Sequence, residues 1–178
     1  MEKNAQQNTW PPDLPYAHES MDLEKALILI EGSKKKAIEL GFASTMAVCD
    51  AAGNLVALQK MNDAALLTLE IAQNKAKSAV YGKMPTALWK DTFNGPSPEL
   101  IPLFFHSNWI TFIGGFPVII DKKLIGGFGI SGATWEDGQI ARAGLEALGA
   151  ETQGVDKCLE VLGPPKPMPK LRYTFPGW

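Results

Sequence analysis

Two glycine-rich apolar runs in the second half of the chain limit its possible folds more than any other feature. They are GGFPVII at residues 114–120 and LIGGFGISG at residues 124–132, separated by a polar turn. Short apolar runs bounded by turn residues are typical of strands, so we predict an antiparallel pair here. Glycine inside a strand lets another backbone or a ligand approach closely.

The apolar periodicity of the remaining chain predicts helices around this sheet. Three segments repeat apolar residues every three or four positions: one from an N-cap at Ser20 to Gly41, one over residues 64–81, and one from a Thr134–Asp137 capping box to Gly149. Further strands are predicted at residues 45–50, 55–61 and 109–113, and short helices at 86–93 and 155–162. The pattern indicates one α+β domain with an antiparallel sheet.

Proline-rich ends flank this predicted domain. We interpret residues 1–19 as an extended N-terminal arm, residues 20–150 as the domain, and residues 151–178 as a short helix with a proline-rich tail. Seventeen basic and nineteen acidic side chains give a net charge of −2, which argues against a sequence-independent nucleic-acid binder. No stretch approaches the roughly 18 apolar residues of a membrane span. The two cysteines favour a reducing cytoplasm.

Candidate metal ligands are few, because the chain has two histidines, two cysteines and no zinc or nucleotide-binding motif. His106, in the aromatic stretch FFHSNW, is the predicted ligand for a metal or haem iron. The alternative is an imidazole that is only hydrogen-bonded locally. Cys49 and Met61 are weaker axial candidates, because both residue types are more typical of a core.

Lys75 is the candidate for acid–base or anion chemistry. It lies in AQNKA on the second predicted helix, among small apolar residues and beside Asn74. Its ammonium either extends to solvent along an apolar surface or binds an anionic ligand, with Asn74 as a second ligand contact. Ser131 precedes the start of the third helix, where free amides could hold a carboxylate or an oxyanion.

The glycine-rich runs supply the remaining ligand-binding candidates. Either these residues shape a tightly bent sheet, or they let a ligand lie close to the backbone. The ligand-binding set is Gly114, Gly115, Pro117, Gly129 and Gly132.

Three segments together resemble the GlcG/HbpS-like domain, which also occurs at the C-terminus of PduO-type proteins. They are VCDAAGNLVALQKMNDA, EIAQNKAKSAVYG and GGFPVIIDKKLIGGFGISGATWEDGQIARAGLEAL, and the resemblance covers about residues 21–150. It implies a profilin-like antiparallel sheet of about five strands flanked by helices. It also implies homo-oligomers and, in some members, haem binding, whereas other members are encoded beside catabolic enzymes.

Residues and resemblance together predict a cytoplasmic homo-oligomer, tetramer to octamer, that binds haem, another tetrapyrrole or a small ligand. We expect a small-molecule partner and neither nucleic acid nor membrane. The alternative is a cofactor-independent lyase, isomerase or hydrolase acting on a small carboxylate or aromatic catabolite. In that alternative Lys75 is the base or anion clamp and Ser131 its catalytic neighbour. A purely scaffolding oligomer is a third hypothesis.

Overall fold

The computed structural model describes residues 20–90, 102 and 107–164. Within these residues the chain is a single α+β domain, as predicted, with four α-helices, one 3₁₀ helix and four strands. The α-helices are α1 Leu23–Leu40, α2 Thr68–Gly82, α3 Glu136–Leu148 and α4 Gln153–Leu162, and the 3₁₀ helix is Thr86–Trp89. The strands are β1 Thr45–Asp50, β2 Leu55–Lys60, β3 Gly115–Ile120 and β4 Lys123–Ser131.

The four strands form one sheet in the order β2-β1-β4-β3, and every neighbouring pair is antiparallel. The two central strands, β1 and β4, are buried along almost their whole length, and β2 and β3 are the edges. The glycine-rich runs pair with each other, with Gly115 opposite Gly129 and Phe116 opposite Phe128. Proline at position 117 is compatible with the edge position of β3.

Helices cover both faces of the sheet. On one face Thr45 of β1 hydrogen-bonds Thr68 of α2 through their hydroxyls at 2.7 Å. On the other face α1 packs against α3, and the Ser33 hydroxyl donates to the Ile140 carbonyl at 2.8 Å. From Gly127 to Ile130 the alternation of side chains along β4 turns Gly127 and Gly129 towards α2, and Phe128 and Ile130 towards the core beneath α1 and α3. Phe128 fills the second interface and is fully buried.

The predicted N-cap of α1 and the predicted strand at residues 109–113 are both wrong. The N-cap of α1 is Asp22, whose carboxylate accepts from the Lys25 backbone N–H at 2.8 Å. The Ser20 hydroxyl instead accepts from the Ala51 N–H at 3.1 Å, so it fixes the chain to the first hairpin. Residues 109–113 form no strand, because the backbone there hydrogen-bonds to side chains of α2 and the 3₁₀ helix.

The predicted short helix before Gly163 is present as α4. The predicted arm at residues 1–19, most of the predicted tail and the segment carrying His106 lie outside the described residues. None of the described helices is both long and apolar enough to cross a lipid bilayer.

Candidate functional site

Lys75 is the central residue of the candidate site, and it is buried with only 1% of its surface exposed. Its Nζ donates to Asp137 Oδ2 at 2.7 Å and to the Ile130 carbonyl oxygen at 2.7 Å. The ring of Phe112 lies over the same nitrogen, with 4.9 Å between Nζ and the ring centroid. The hypothesis that this ammonium extends to solvent is therefore wrong, because a carboxylate of the protein itself binds it.

Asp137 holds two elements together with one carboxylate. It lies in the first turn of α3 and is fully buried. Its Oδ1 accepts from the Ala133 N–H at 2.9 Å, and its Oδ2 pairs with Lys75. The predicted Thr134–Asp137 capping box is wrong, because the N-cap of α3 is Trp135 and makes no side-chain cap hydrogen bond. The Asp137 carboxylate instead binds the N–H of Ala133 and forms an ion pair that the local sequence pattern does not reveal.

Burial opposes the charge on both partners of this ion pair. It raises the pKa of Asp137 to about 6, against the lowering effect of the Lys75 charge and hydrogen bond. Burial also lowers the pKa of Lys75, against the raising effect of Asp137. Perturbed pKa values of this kind are found at functional sites and also in buried structural ion pairs.

Residues 107–114 cross α2 beside this pair and lead into β3, and we call them the strap. The Ile110 N–H donates to the Ser78 hydroxyl of α2 at 3.0 Å. The Thr86 hydroxyl of the 3₁₀ helix donates to the Phe112 carbonyl at 2.6 Å. The strap is therefore held by hydrogen bonds to side chains of α2 and the 3₁₀ helix, in place of the backbone hydrogen bonds that a neighbouring strand would provide.

Aromatic contacts continue along the same segment. The rings of Trp89 and Trp109 are T-shaped, with centroids 4.8 Å apart. Phe112, in contrast, is 50% exposed although its ring covers the Lys75 ammonium. The strap thus combines a packed indole pair with a half-exposed ring over a buried charge.

Three of the candidate glycines lie around α2 and Lys75. A Cβ at Gly115 would come within 2.5 Å of the Lys75 carbonyl oxygen, and one at Gly129 within 2.7 Å of the Ala76 nitrogen. A Cβ at Gly114, where φ is +120°, would come within 2.5 Å of Lys75 Nζ. These contacts support the interpretation in which the glycines shape the sheet, since the backbone of α2 occupies the space beside Gly115 and Gly129, and the Lys75 ammonium occupies the space beside Gly114.

The other candidates lie in different surroundings. Ser131 is 5% exposed at the end of β4, next to the Ile130 carbonyl that binds Lys75. Gly132 is exposed, and Pro117 lines a cavity of about 130 Å³ between β3 and the start of α4. Asn74 is partly buried on α2. The contacts among the described residues do not connect these last three to Lys75.

Cys49 and Cys158 are poor metal ligands in this structure. Both are buried, and burial raises the pKa of each thiol to about 12, so neither is a thiolate at neutral pH. The Met61 sulfur accepts the Ser44 N–H at 3.4 Å. Within the described part of the chain, no three His, Cys, Asp or Glu side chains are grouped to hold a metal ion. His106 lies outside that part.

A separate open pocket of about 570 Å³ lies beside the turn of the first hairpin. The half-exposed Tyr81 ring forms one wall and rests on Gly53, where a Cβ would come within 2.5 Å of the ring. The volume falls within the range of about 300–1,000 Å³ that is usual for small-molecule sites. The remaining lining residues are Ser20, Asp50, Ala51 and Ala52.

Sequence reasoning missed the roles of Asp137 and Phe112 at Lys75. Asp137 is 62 positions from Lys75 in the chain, and the residues around either one give no indication that the two side chains are in contact. The one available indication was a lysine on a helix face otherwise made of small apolar residues, a position that needs a partner when it is buried.

The comparisons with known proteins agree with this architecture. The family model described as "Haem degrading protein HbpS-like" matches residues 21–146. Protein GlcG of Escherichia coli K12 is 30% identical over 110 residues, which is 61% of this chain and 78% of GlcG.

Two solved structures have the same fold. The crystal structure of the PduOC–haem complex matches with a TM-score of 0.69 and 30% identity, over 75% of this chain and 98% of that chain. The crystal structure of HbpS matches with a TM-score of 0.65 and 29% identity, over 74% of this chain and 92% of that chain. Because the family model spans most of the described domain, this chain belongs to the HbpS-like family.

Proposed function

We propose that this protein binds haem or a related tetrapyrrole. The observation that carries the proposal is its similarity to the PduOC–haem complex, which extends over nearly the whole of that chain. The family description, which names haem degradation, points in the same direction. Bound haem would supply an iron centre and a large aromatic plane.

The described residues offer haem a pocket of sufficient volume, but they offer few side chains that could serve as its axial ligand. The open pocket beside Tyr81 has a volume within the usual range for small-molecule sites, and the phenol ring of Tyr81 forms one of its walls. Tyrosine oxygen is an axial haem ligand in some proteins, and histidine nitrogen is a common one. The two buried thiols do not fit, because they remain protonated. Our proposal therefore keeps His106 as the axial ligand and includes Tyr81 as its competitor.

A haemin titration followed by absorbance tests this proposal. For the natural chain we expect a saturable Soret shift at about one haem per subunit, and loss of that shift in His106→Ala. Tyr81→Phe and His18→Ala, which replaces the second of the two histidines, are the matched controls and should keep the shift. A shift retained in His106→Ala but lost in Tyr81→Phe would overturn the assignment to His106. A weak shift without saturation in the natural chain would overturn haem binding itself.

We also propose that the protein works as a homo-oligomer of four to eight subunits in a reducing cytoplasm. α1 exposes three large apolar side chains between 45% and 52%, namely Leu23, Leu27 and Ile28. Exposed apolar side chains that lie together are typical of protein interfaces. The two free, buried cysteines are compatible with a reducing compartment. A monomeric mass by light scattering would contradict the oligomer.

The catalytic alternative has weaker support than ligand binding. It needs a substrate to reach Lys75, which is buried under Phe112 and already bound to Asp137. Ser131 is buried as well. Ligand binding therefore explains the described residues with fewer assumptions than catalysis.

A further inference from the structure

The Lys75 ammonium has one N–H for which the described residues offer no acceptor oxygen. An ammonium carries three N–H donors. Asp137 and the Ile130 carbonyl accept two of them. Phe112 is the third neighbour, and its ring is a weaker partner for a cation than an oxygen would be. An acceptor oxygen in place of that ring would complete the hydrogen bonding of Lys75.

Phe112 is also well placed to move. Its side chain is 50% exposed, so turning it outward loses little buried apolar surface. Between Ile110 and Ile113, the described hydrogen bonds of the strap go to side chains and none goes to a strand. Segments with few backbone hydrogen bonds are those that open locally without global unfolding.

The ends of the movable part are defined by the backbone. On one side Gly114 has φ of +120°, and on the other Asn108 has φ of +54°. Ile113 is 7% exposed and packs near Gly138 of α3, so it anchors the strap next to Gly114. Opening at Phe112 therefore leaves β3 and β4 paired.

We propose that Phe112 is a gate over Lys75, and that the opened gate admits a small carboxylate whose oxygen accepts the third N–H of Lys75. Asp137 remains bound to the same ammonium, so the site holds the added carboxylate by one hydrogen bond from Lys75, and the body of the ligand takes the place that the Phe112 ring leaves. This chemistry favours small carboxylates with an aromatic or aliphatic body. The inference concerns Lys75 and does not depend on haem binding.

Acetylation of individual lysines, followed by mass spectrometry at about pH 8, tests the gate. Lys75 in the natural chain should react more slowly than the exposed Lys123. In Phe112→Ala, the rate at Lys75 should rise about tenfold while the rate at Lys123 stays the same. Leu55→Ala removes an equally exposed apolar side chain on the opposite edge of the sheet and should change neither rate. Phe112→Leu, which keeps an apolar cover, should lie between the natural chain and Phe112→Ala.

Amide exchange at Val118 in β3 checks that the sheet stays folded in each variant. An unchanged Lys75 rate in Phe112→Ala would overturn the gate. So would a rise that is accompanied by loss of protection at Val118, since Lys75 would then react through unfolding.

Sodium benzoate and benzyl alcohol test the ligand class in the same assay. We expect benzoate to slow acetylation of Lys75 severalfold without affecting Lys123, and benzyl alcohol, which has the same ring without the carboxylate, to have no effect. Equal protection by both compounds, or none by either, would overturn the carboxylate site. Because no haem is present in this experiment, its failure is separate from failure of the haemin titration.

Discussion

At the scale of single residues, the buried pair of Lys75 and Asp137 is the feature that most needs a physical explanation. Removing two charges from water is costly, and burial is the larger influence on the pKa of each partner. The pair persists because its geometry satisfies several groups at once, including the Ile130 carbonyl and the Ala133 N–H. It therefore joins β4, α2 and α3 at one point.

This arrangement predicts that a protein lacking one partner of the ion pair is less stable than a protein lacking both. In Lys75→Met the Asp137 carboxylate loses its cation, and we expect the free energy of unfolding at neutral pH to fall by about 3 kcal/mol. In Lys75→Met with Asp137→Asn no charge is buried, and the amide oxygen can still accept from Ala133. The double variant should return to within about 1 kcal/mol of the natural chain. Urea denaturation measures all three proteins, and a double variant as unstable as Lys75→Met would contradict the explanation.

The sequence predicts which side chains are chemically reactive candidates more easily than it predicts which of them are in contact. A lysine among alanines and an aspartate three positions after a threonine are both visible in the chain. Their pairing depends on how α2 crosses the sheet, and this is a long-range property that local periodicity does not contain. The exposure of Phe112 likewise depends on the course of the strap.

At the scale of elements, the close approach of α2 to the sheet depends on β3 and β4 lacking side chains at particular points. Gly115 and Gly129 lie opposite each other and both face the backbone of α2. Ala72 and Ala76 supply the small side chains on the helix, and both are fully buried or nearly so. The glycine runs therefore set the distance between helix and sheet, and with it the position of Lys75.

Gly129→Ala should consequently destabilise the fold. The new Cβ would meet the Ala72 carbonyl oxygen and the Ala76 nitrogen, which are backbone atoms that cannot rotate away. We expect a loss of about 1–3 kcal/mol, as for other overpacked cores. Gly154→Ala in α4 is the matched control, because its Cβ would meet only the Pro85 ring at 3.0 Å. The urea midpoints decide the matter, and equal midpoints for both variants would refute the packing argument.

Periodicity predicted the helices and the two hairpins well, because each buries one face against the sheet. It failed at residues 109–113, where an apolar run suggested a strand. An apolar run shows that side chains are buried but not where the backbone hydrogen bonds go. Here the Ser78 hydroxyl accepts from the Ile110 N–H, and the Thr86 hydroxyl donates to the Phe112 carbonyl. Neither Ser78 nor Thr86 is close to residues 109–113 in sequence. The N-cap of α1 was also misplaced by two positions, since Ser20 and Asp22 are both good caps.

At the scale of the whole molecule, the buried carboxyl of Asp137 links stability to pH. Burial raises its pKa from 3.8 to about 6, so between these values the folded protein binds this proton and the unfolded chain does not. The contribution of Asp137 to the free energy of unfolding is therefore fully present below the unfolded pKa and is lost as pH rises through about 6. A shift of this size corresponds to about 3 kcal/mol.

The difference in unfolding free energy between the natural chain and Asp137→Asn reports this contribution. As pH rises from about 4.5 to 7, that difference should fall, because the folded natural chain loses the proton on Asp137. Asp137→Asn also removes the carboxylate that raises the pKa of Lys75, and the further lowering of that pKa makes the difference fall in the same direction. Asp50→Asn is a control of opposite sign. Partial desolvation raises the pKa of Asp50, but hydrogen bonds from Asn54 and Ala52 outweigh it, so the pKa is lowered. For Asp50 the difference should stay nearly constant above the unfolded pKa of 3.8 and should fall as pH is lowered below it. A difference for Asp137→Asn that stays flat, or that grows with pH, would mean that burial does not govern this carboxyl in the folded protein.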